Sequence, residues 1–202
     1  MQNDGLGIDY LNSIAPKAPK KSLFSMRNIV LLAAGAVVIF VGLMIASSVM
    51  TASREKSRDS IASLYLRIGN MQTITVQYGG ELDSSGLRAI NSGLDTQLSS
   101  ILYDFGVLLP SQKIVVAEID EEVRGREMAH LDSVREELRV AKLNAVFDRT
   151  YPRVISYELT LIMTQMDKIY KESNDDVLKS FLSRSYLTLS ELRELFDEFR
   201  AE

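Results

Sequence analysis

IVLLAAGAVVIFVGLMIASSVM, residues Ile29–Met50, is the stretch that divides this chain into two unlike parts. It holds no charge, only Gly35, Gly42, Ser47 and Ser48 fall outside the hydrophobic set, and Arg27 and Arg54 bracket it. As a helix rising 1.5 Å per residue it is about 33 Å long, enough for a hydrocarbon core of about 30 Å. Soluble helices buried in a core rarely run so far without a charge, so residues 28–50 read as a transmembrane helix. A cleaved signal peptide is the competing reading, with Ala46-Ser47-Ser48 as a passable small-residue cleavage site. Its apolar region is usually only ~7–15 residues, however, and an uncleaved signal anchor fits better. Ile29 and Met50 bound that anchor, and Gly35, Gly42 and Ala46 share one helix face, a pattern that permits close approach of two membrane helices.

Residues 1–27 contain Gly5, Gly7, Pro16 and Pro19, so this tail is expected to be extended and disordered. Lys17, Lys20, Lys21 and Arg27 form its topology signal, facing Arg54, Lys56, Arg58 and Arg67 beyond the span. The two flanks nearly tie by the positive-inside count. A short basic tail ahead of a leading apolar segment typically stays in the cytoplasm, while long domains translocate largely regardless of charge. The expectation is a single-pass cytoplasmic-membrane protein with its N-terminus in the cytoplasm and residues 51–202 extracytoplasmic. Absence of an Asn-x-Ser/Thr sequon fits a bacterial envelope. The lipid bilayer is the first partner implied. A docking peptide built on Ile8, Tyr10, Leu11 and Ile14 is an alternative use of the tail.

The 202 residues are 46% hydrophobic and 25% charged, with no Cys, a single His and a net charge of −4. The missing thiols exclude disulfides, thiolate catalysis, Fe–S clusters and lipidated cysteines. One His excludes a multi-His metal centre within one chain. A pI near 5.2 argues against nucleic acid as a partner. The mean hydropathy of +0.02 averages an apolar anchor with an ordinary polar domain.

Beyond residue 50 the periodicity is helical almost throughout. Ile61, Leu64, Tyr65, Ile68 and Met71 recur at 3–4 spacing until Gly79-Gly80, although Met71–Tyr78 also alternates like a strand. Ser84 or Ser85 can cap a second helix striped with Leu87, Ile90, Leu94, Leu98, Ile101 and Phe105. A third is expected to start at Ser111 and carry Val115, Ile119, Val123, Leu131, Val134 and Leu138, with a kink at Gly125. Thr150-Tyr151-Pro152 reads as the start of a fourth, with Pro at its first position. It carries Ile155, Leu159, Ile162, Met166 and Ile169. Ser173 and Asp176 approximate a capping box ahead of a last helix with Leu178, Phe181, Leu182, Leu189, Leu192 and Phe196. The fold class expected for residues 51–202 is all-α, an antiparallel four- to five-helix bundle.

Glu127-Met128-Ala129-His130 has the E-x-x-H spacing that di-metal bundles use twice. A second His does not exist, so a symmetric site is impossible within one chain, and Glu127 and His130 read as a surface or boundary pair. A ferritin-like metal or redox protein using these two residues is the alternative. No P-loop, dinucleotide fingerprint, EF-hand or nucleophile elbow occurs. No cofactor and no small-molecule substrate is implied, and the balance favours binding over catalysis. Tyr151, Tyr157, Tyr170 and Tyr186 concentrate in the last two helices, where core or boundary packing is favoured over a partner surface.

Leu143-Asn144-Ala145-Val146-Phe147-Asp148-Arg149-Thr150-Tyr151, with Asp176-Val177-Leu178-Lys179-Ser180-Phe181 and a closing Leu-rich helix, resembles a bacterial envelope family of ferritin-like helical bundles of unknown function. The similarity covers about residues 130–200. It implies a four-helix core in the envelope. The family's His residues on the last two helices are absent here, where Tyr157-Glu158-Leu159 and Glu191-Leu192 stand, so its metal chemistry does not carry over. The function expected is a membrane-anchored scaffold whose outer bundle binds a protein partner or itself. A sensory or filament-assembly subunit is a further alternative.

Overall fold

Residues 55–199 are the ones described in this computed structural model, and among them five helices and two short 3₁₀ turns occur, with no strand. The chain divides at Met50/Thr51 into two units. The anchor positions Ile29, Gly35, Gly42 and Met50 and the basic residues Lys17, Lys20, Lys21 and Arg27 lie outside the described residues. No helix among the described residues is long and apolar enough to cross a membrane.

Helix α1 spans 55–79, α2 Ser85–Leu108, α3 Glu121–Leu143, α4 Phe147–Glu172 and α5 Asp176–Glu198. In α1 the alternating segment Met71–Tyr78 is helical, because Met71, Ile74, Thr75 and Tyr78 are buried while Val76 points outward. The helix ends at Gly79-Gly80. Ser84 caps α2, its hydroxyl accepting from the Leu87 amide.

Four of the helices close a ring. Tyr65 of α1 meets Phe105 of α2 edge-on at 5.7 Å, and Phe105 stacks at 4.8 Å on Phe181 of α5. Ser156 of α4 donates to Asp197 of α5, and Gln165 of α4 donates to the Ser60 carbonyl and Ser63 hydroxyl of α1. Neighbours in this ring run antiparallel: Gly86, Gly93 and Phe105 of α2 lie against Phe199, Leu192 and Phe181 respectively. Down the middle, Tyr151, Phe105, Phe196, Leu64, Ile68, Leu94, Leu98 and Ile155 are almost wholly excluded from solvent.

Helix α3 stands outside the ring and carries the chain back from the end of α2 to the start of α4, one long crossover in an otherwise hairpin-connected bundle. It buries only a narrow stripe: Val123, Glu127, Leu131, Val134, Leu138 and Ala141. Its start corrects the sequence-based expectation. Ser111 belongs to the 3₁₀ turn Leu109–Gln112, a second turn covers Val116–Glu118, and the helix begins only at Glu121, capped by Asp120. Ile114 and Ile119 are buried from the loop rather than from a helix face, and Val115, expected on the apolar stripe, is exposed. Gly125 interrupts nothing, and the helix runs through it.

Two further boundaries move. Helix α4 starts at Phe147, leaving Pro152 inside it, because burial of Phe147 and Tyr151 on one face carries the turn ahead of the proline. The cap of α5 is Asp175, whose carboxylate accepts from the Val177 and Leu178 amides; Ser173 ends α4 instead. The Leu178 backbone amide first, then the Gln112 side-chain amide and the Val177 amide, donate to the Asp175 carboxylate and lower it below its ordinary range.

The bundle thus has two distinct ends. At one, Arg58 donates to the Lys113 carbonyl and Gln112 donates to Asp175 at 2.7 Å, gathering the start of α1, the 109–120 connection and the α4–α5 turn. At the other, the Asp148 carboxylate accepts from the amides of Asp83 and Ser84, and Lys142 pairs with Glu81.

Candidate functional site

Polar residues placed on apolar stripes mark the chemistry of the interior. Glu127 follows Val123 by four and precedes Leu131 by four, so α3 turns it inward, where it is 4% exposed. A carboxylate there needs compensation. Arg67 of α1 supplies it through two donors, Nε at 2.9 Å and Nη2 at 3.1 Å, and the Ser63 hydroxyl also donates. Asn70 donates to the Glu127 carbonyl at 3.0 Å. One turn on, His130 meets Glu158 of α4, Nε2 to Oε2 2.7 Å. Since a carboxylate only accepts, Nε2 carries the hydrogen of this bond. Glu158 is 6% exposed, lying between Ile155 and Ile162 on the apolar face.

These residues form a polar seam joining α3 to α1 and α4. Glu127 and His130 share a helix face as their spacing requires, yet each is taken by a partner from another helix. Neither oxygen of Glu127 is open to a cation without displacing Arg67 or Ser63. No group of three or more metal-ligating side chains occurs among the described residues. The space among Arg67, Asn70, His130 and Glu158 is about 10 Å³, room for no substrate.

A second buried pair crosses the ring. The Tyr151 hydroxyl donates to Asn91 Oδ1, and Asn91 Nδ2 donates to the Thr75 carbonyl at 3.0 Å. Burial first, and the nearby Asp95 charge second, push the Tyr151 phenol far above its usual value. A Cβ on Gly79 would lie 2.5 Å from Asn91 Nδ2, so glycine there is what lets the amide sit in place.

The outer surface differs from this interior. A shallow groove of about 190 Å³ runs between α4 and α5, floored by Met166 and Leu182 and walled by Tyr170, Tyr186 and Leu187. Lys179 lies 5.3 Å from the Tyr170 ring centre, at cation–π distance. Core or boundary packing, favoured from the sequence for the four late tyrosines, puts Tyr151 in the core and Tyr170 and Tyr186 at the boundary, 42% and 38% exposed, while Tyr157 lies on the surface. In the sequence Arg67 stands out only as a charge flanking the apolar run, Glu158 only as a place where the family's His is missing, and Asn91 not at all. The available signal was a polar residue at an apolar-stripe position, which all of Asn91, Glu127 and Glu158 share.

Fold and seam together define a class, a helical bundle whose buried ionic and polar groups knit helices rather than surround a cavity. Comparison with known proteins adds no member to it: no family model, curated protein or solved structure matches the chain.

Proposed function

We propose that this protein is a membrane-anchored envelope scaffold, single-pass, whose helical bundle binds a protein partner or a second copy of itself. The observation that carries the reading is the contrast between interior and surface. Inside, Glu127, His130 and Glu158 are matched with Arg67 and with each other and enclose no usable space. Outside, α4 and α5 present Tyr157, Tyr170, Tyr186 and Leu187, side chains of the kind that supply contact area at interfaces. Anchoring rests on the charge-free Ile29–Met50 run, and placement of the bundle outside the cytoplasm rests on the basic residues Lys17, Lys20, Lys21 and Arg27 before it.

The test is photo-crosslinking of the intact protein in its native membrane from a reactive amino acid at Tyr170 or Tyr186. Discrete adducts with one protein, or a dimer of the chain, are expected. Adducts no different from those at exposed polar Glu136 would overturn the binding reading. Metal analysis of the purified protein is the second arm. Stoichiometric iron, manganese or zinc that is lost in His130→Ala would favour a metal protein instead.

A further inference from the structure

We propose that the loop from Lys113 to Glu118, led by Val115 and Val116, rests in the headgroup layer of the bilayer that the anchor crosses. The proposal builds on the anchored reading above and adds to it which surface of the bundle meets lipid.

Chain length chooses the end. Met50 closes the apolar run and the structure is helical from residue 55. Five residues span at most about 18 Å, so Glu55 lies close to the point where a spanning run leaves the hydrocarbon. Glu55 shares a cleft of about 250 Å³ with Arg58, Asp59, Ile114, Val115 and Asp120. The loop therefore belongs to the same end of the bundle as the tether. The opposite end, reached after the length of α1, lies about 37 Å away. It also exposes apolar side chains, Leu143 and Val146, but stands a helix length away from the Ile29–Met50 run.

The loop is held, not loose. Ile114 and Ile119 are buried on either side of it, Arg58 of α1 donates to the Lys113 carbonyl, and Arg124 of α3 donates to the carbonyls of Val116 and Ile119. Lys113 takes a left-handed backbone, φ 58°, that turns the chain out of the 3₁₀ helix. Two arginines and two buried isoleucines thus fix a segment whose centre, Val115 and Val116, is 54% and 38% exposed. Val177, 63% exposed in the first turn of α5, stands at this end too, since Asp175 is bound to Gln112.

Charge attraction does not drive the contact. Glu118, Asp120, Glu121 and Glu122 adjoin the loop and would be repelled by an anionic surface. Two or three valines hold free protein on a membrane only weakly. A covalent tether a few residues long raises their effective concentration at the surface enough for a small apolar contact to persist.

The chain contains no Cys, so single labelling sites are simple to introduce. Full-length protein would be reconstituted in phosphatidylcholine vesicles with a nitroxide at Val116→Cys, Leu143→Cys or Phe40→Cys, and collision with a water-soluble nickel chelate compared with collision with oxygen. The label at 116 is expected to be several-fold less accessible to the chelate than that at 143, with the label at 40 the most protected. Equal chelate accessibility at 116 and 143, with 40 protected, overturns the lipid contact and leaves the anchor intact. A chelate-accessible label at 40 overturns the anchored reading, and the contact with it.

Discussion

Arg67 and Glu127 join α1 to α3 through a two-pronged ion pair, the guanidinium reaching both carboxylate oxygens. Glu127 is almost wholly buried whereas the Arg67 side chain is 22% exposed, so the cost of separating them falls mainly on the carboxylate. Arg67→Met is expected to destabilise the bundle by about 3 kcal/mol, the lower part of the range for stranding a buried charge. Replacing both, Arg67→Met with Glu127→Leu, should restore most of the loss. Urea midpoints of the two variants check this, and a double variant no more stable than the single one would contradict it.

The same reasoning applies to His130 and Glu158. His130→Ala leaves a buried carboxylate without its donor and is expected to cost about 1–3 kcal/mol. His130→Ala with Glu158→Leu should recover part of it, read by thermal unfolding followed by circular dichroism.

At Gly79 two effects compete. Alanine is the better helix former by about 1 kcal/mol, but its Cβ would overlap Asn91 Nδ2. Asn91 is bound on both sides, to Thr75 and Tyr151, and has no free direction in which to yield. Overlap wins, and Gly79→Ala should be destabilising by about 1–2 kcal/mol net. Gly125→Ala, where a Cβ meets nothing, serves as the control and should be neutral or stabilising.

Tyr151 carries an alkaline signature. Its folded value lies above the ordinary one of about 10. The contribution of the neutral phenol to stability is therefore complete below pH 10 and is lost as pH rises toward the folded value, because the unfolded chain ionises first. Tyr151→Phe should be less stable than the parent near neutrality, and the gap should narrow above pH 10 in urea titrations.

Asp175 behaves oppositely, its folded value being depressed by the amides it caps and by Gln112. Its contribution is complete above the unfolded value of about 3.9 and is lost as pH falls through the folded one. Asp175→Ala should cost about 1 kcal/mol at neutral pH, as N-cap removals do. That difference should shrink below pH 4, measured by urea unfolding at pH 7, 4 and 3.

The helices were legible wherever one face alone is buried. Leu87, Leu94, Leu98 and Phe105, or Ile155, Leu159, Ile162 and Met166, repeat at the spacing of a single apolar stripe, and the structure buries each of them. Errors arose where burial and helicity part company. Val115, Ile119 and Val123 are spaced by four, yet Val115 is exposed and Ile119 is buried from a loop. The better signal was Asp120 ahead of Glu121-Glu122, a cap followed by acids that favour a helix N-terminus. Pro152 misled because tertiary burial of Phe147 and Tyr151 outweighs a local break. In the polar seam, the E-x-x-H spacing put Glu127 and His130 on one face. Their partners lie 60 and 28 residues away in sequence, and no local pattern encodes such pairing.

The ring that closes α1 against α4 sets the order in which the bundle can assemble. Gln165 and Ser60 are 105 residues apart, so this contact waits on a long loop closure, whereas α1–α2 and α4–α5 are hairpins of nearby chain. Synthesis runs from the N-terminus, and the side of α1 that meets α4 lacks its partner until α4 follows. During that interval Ile61, Leu64 and Ile68 have only α2, and then α3, to cover them. A nascent chain stalled within α3 would be the species most prone to aggregate.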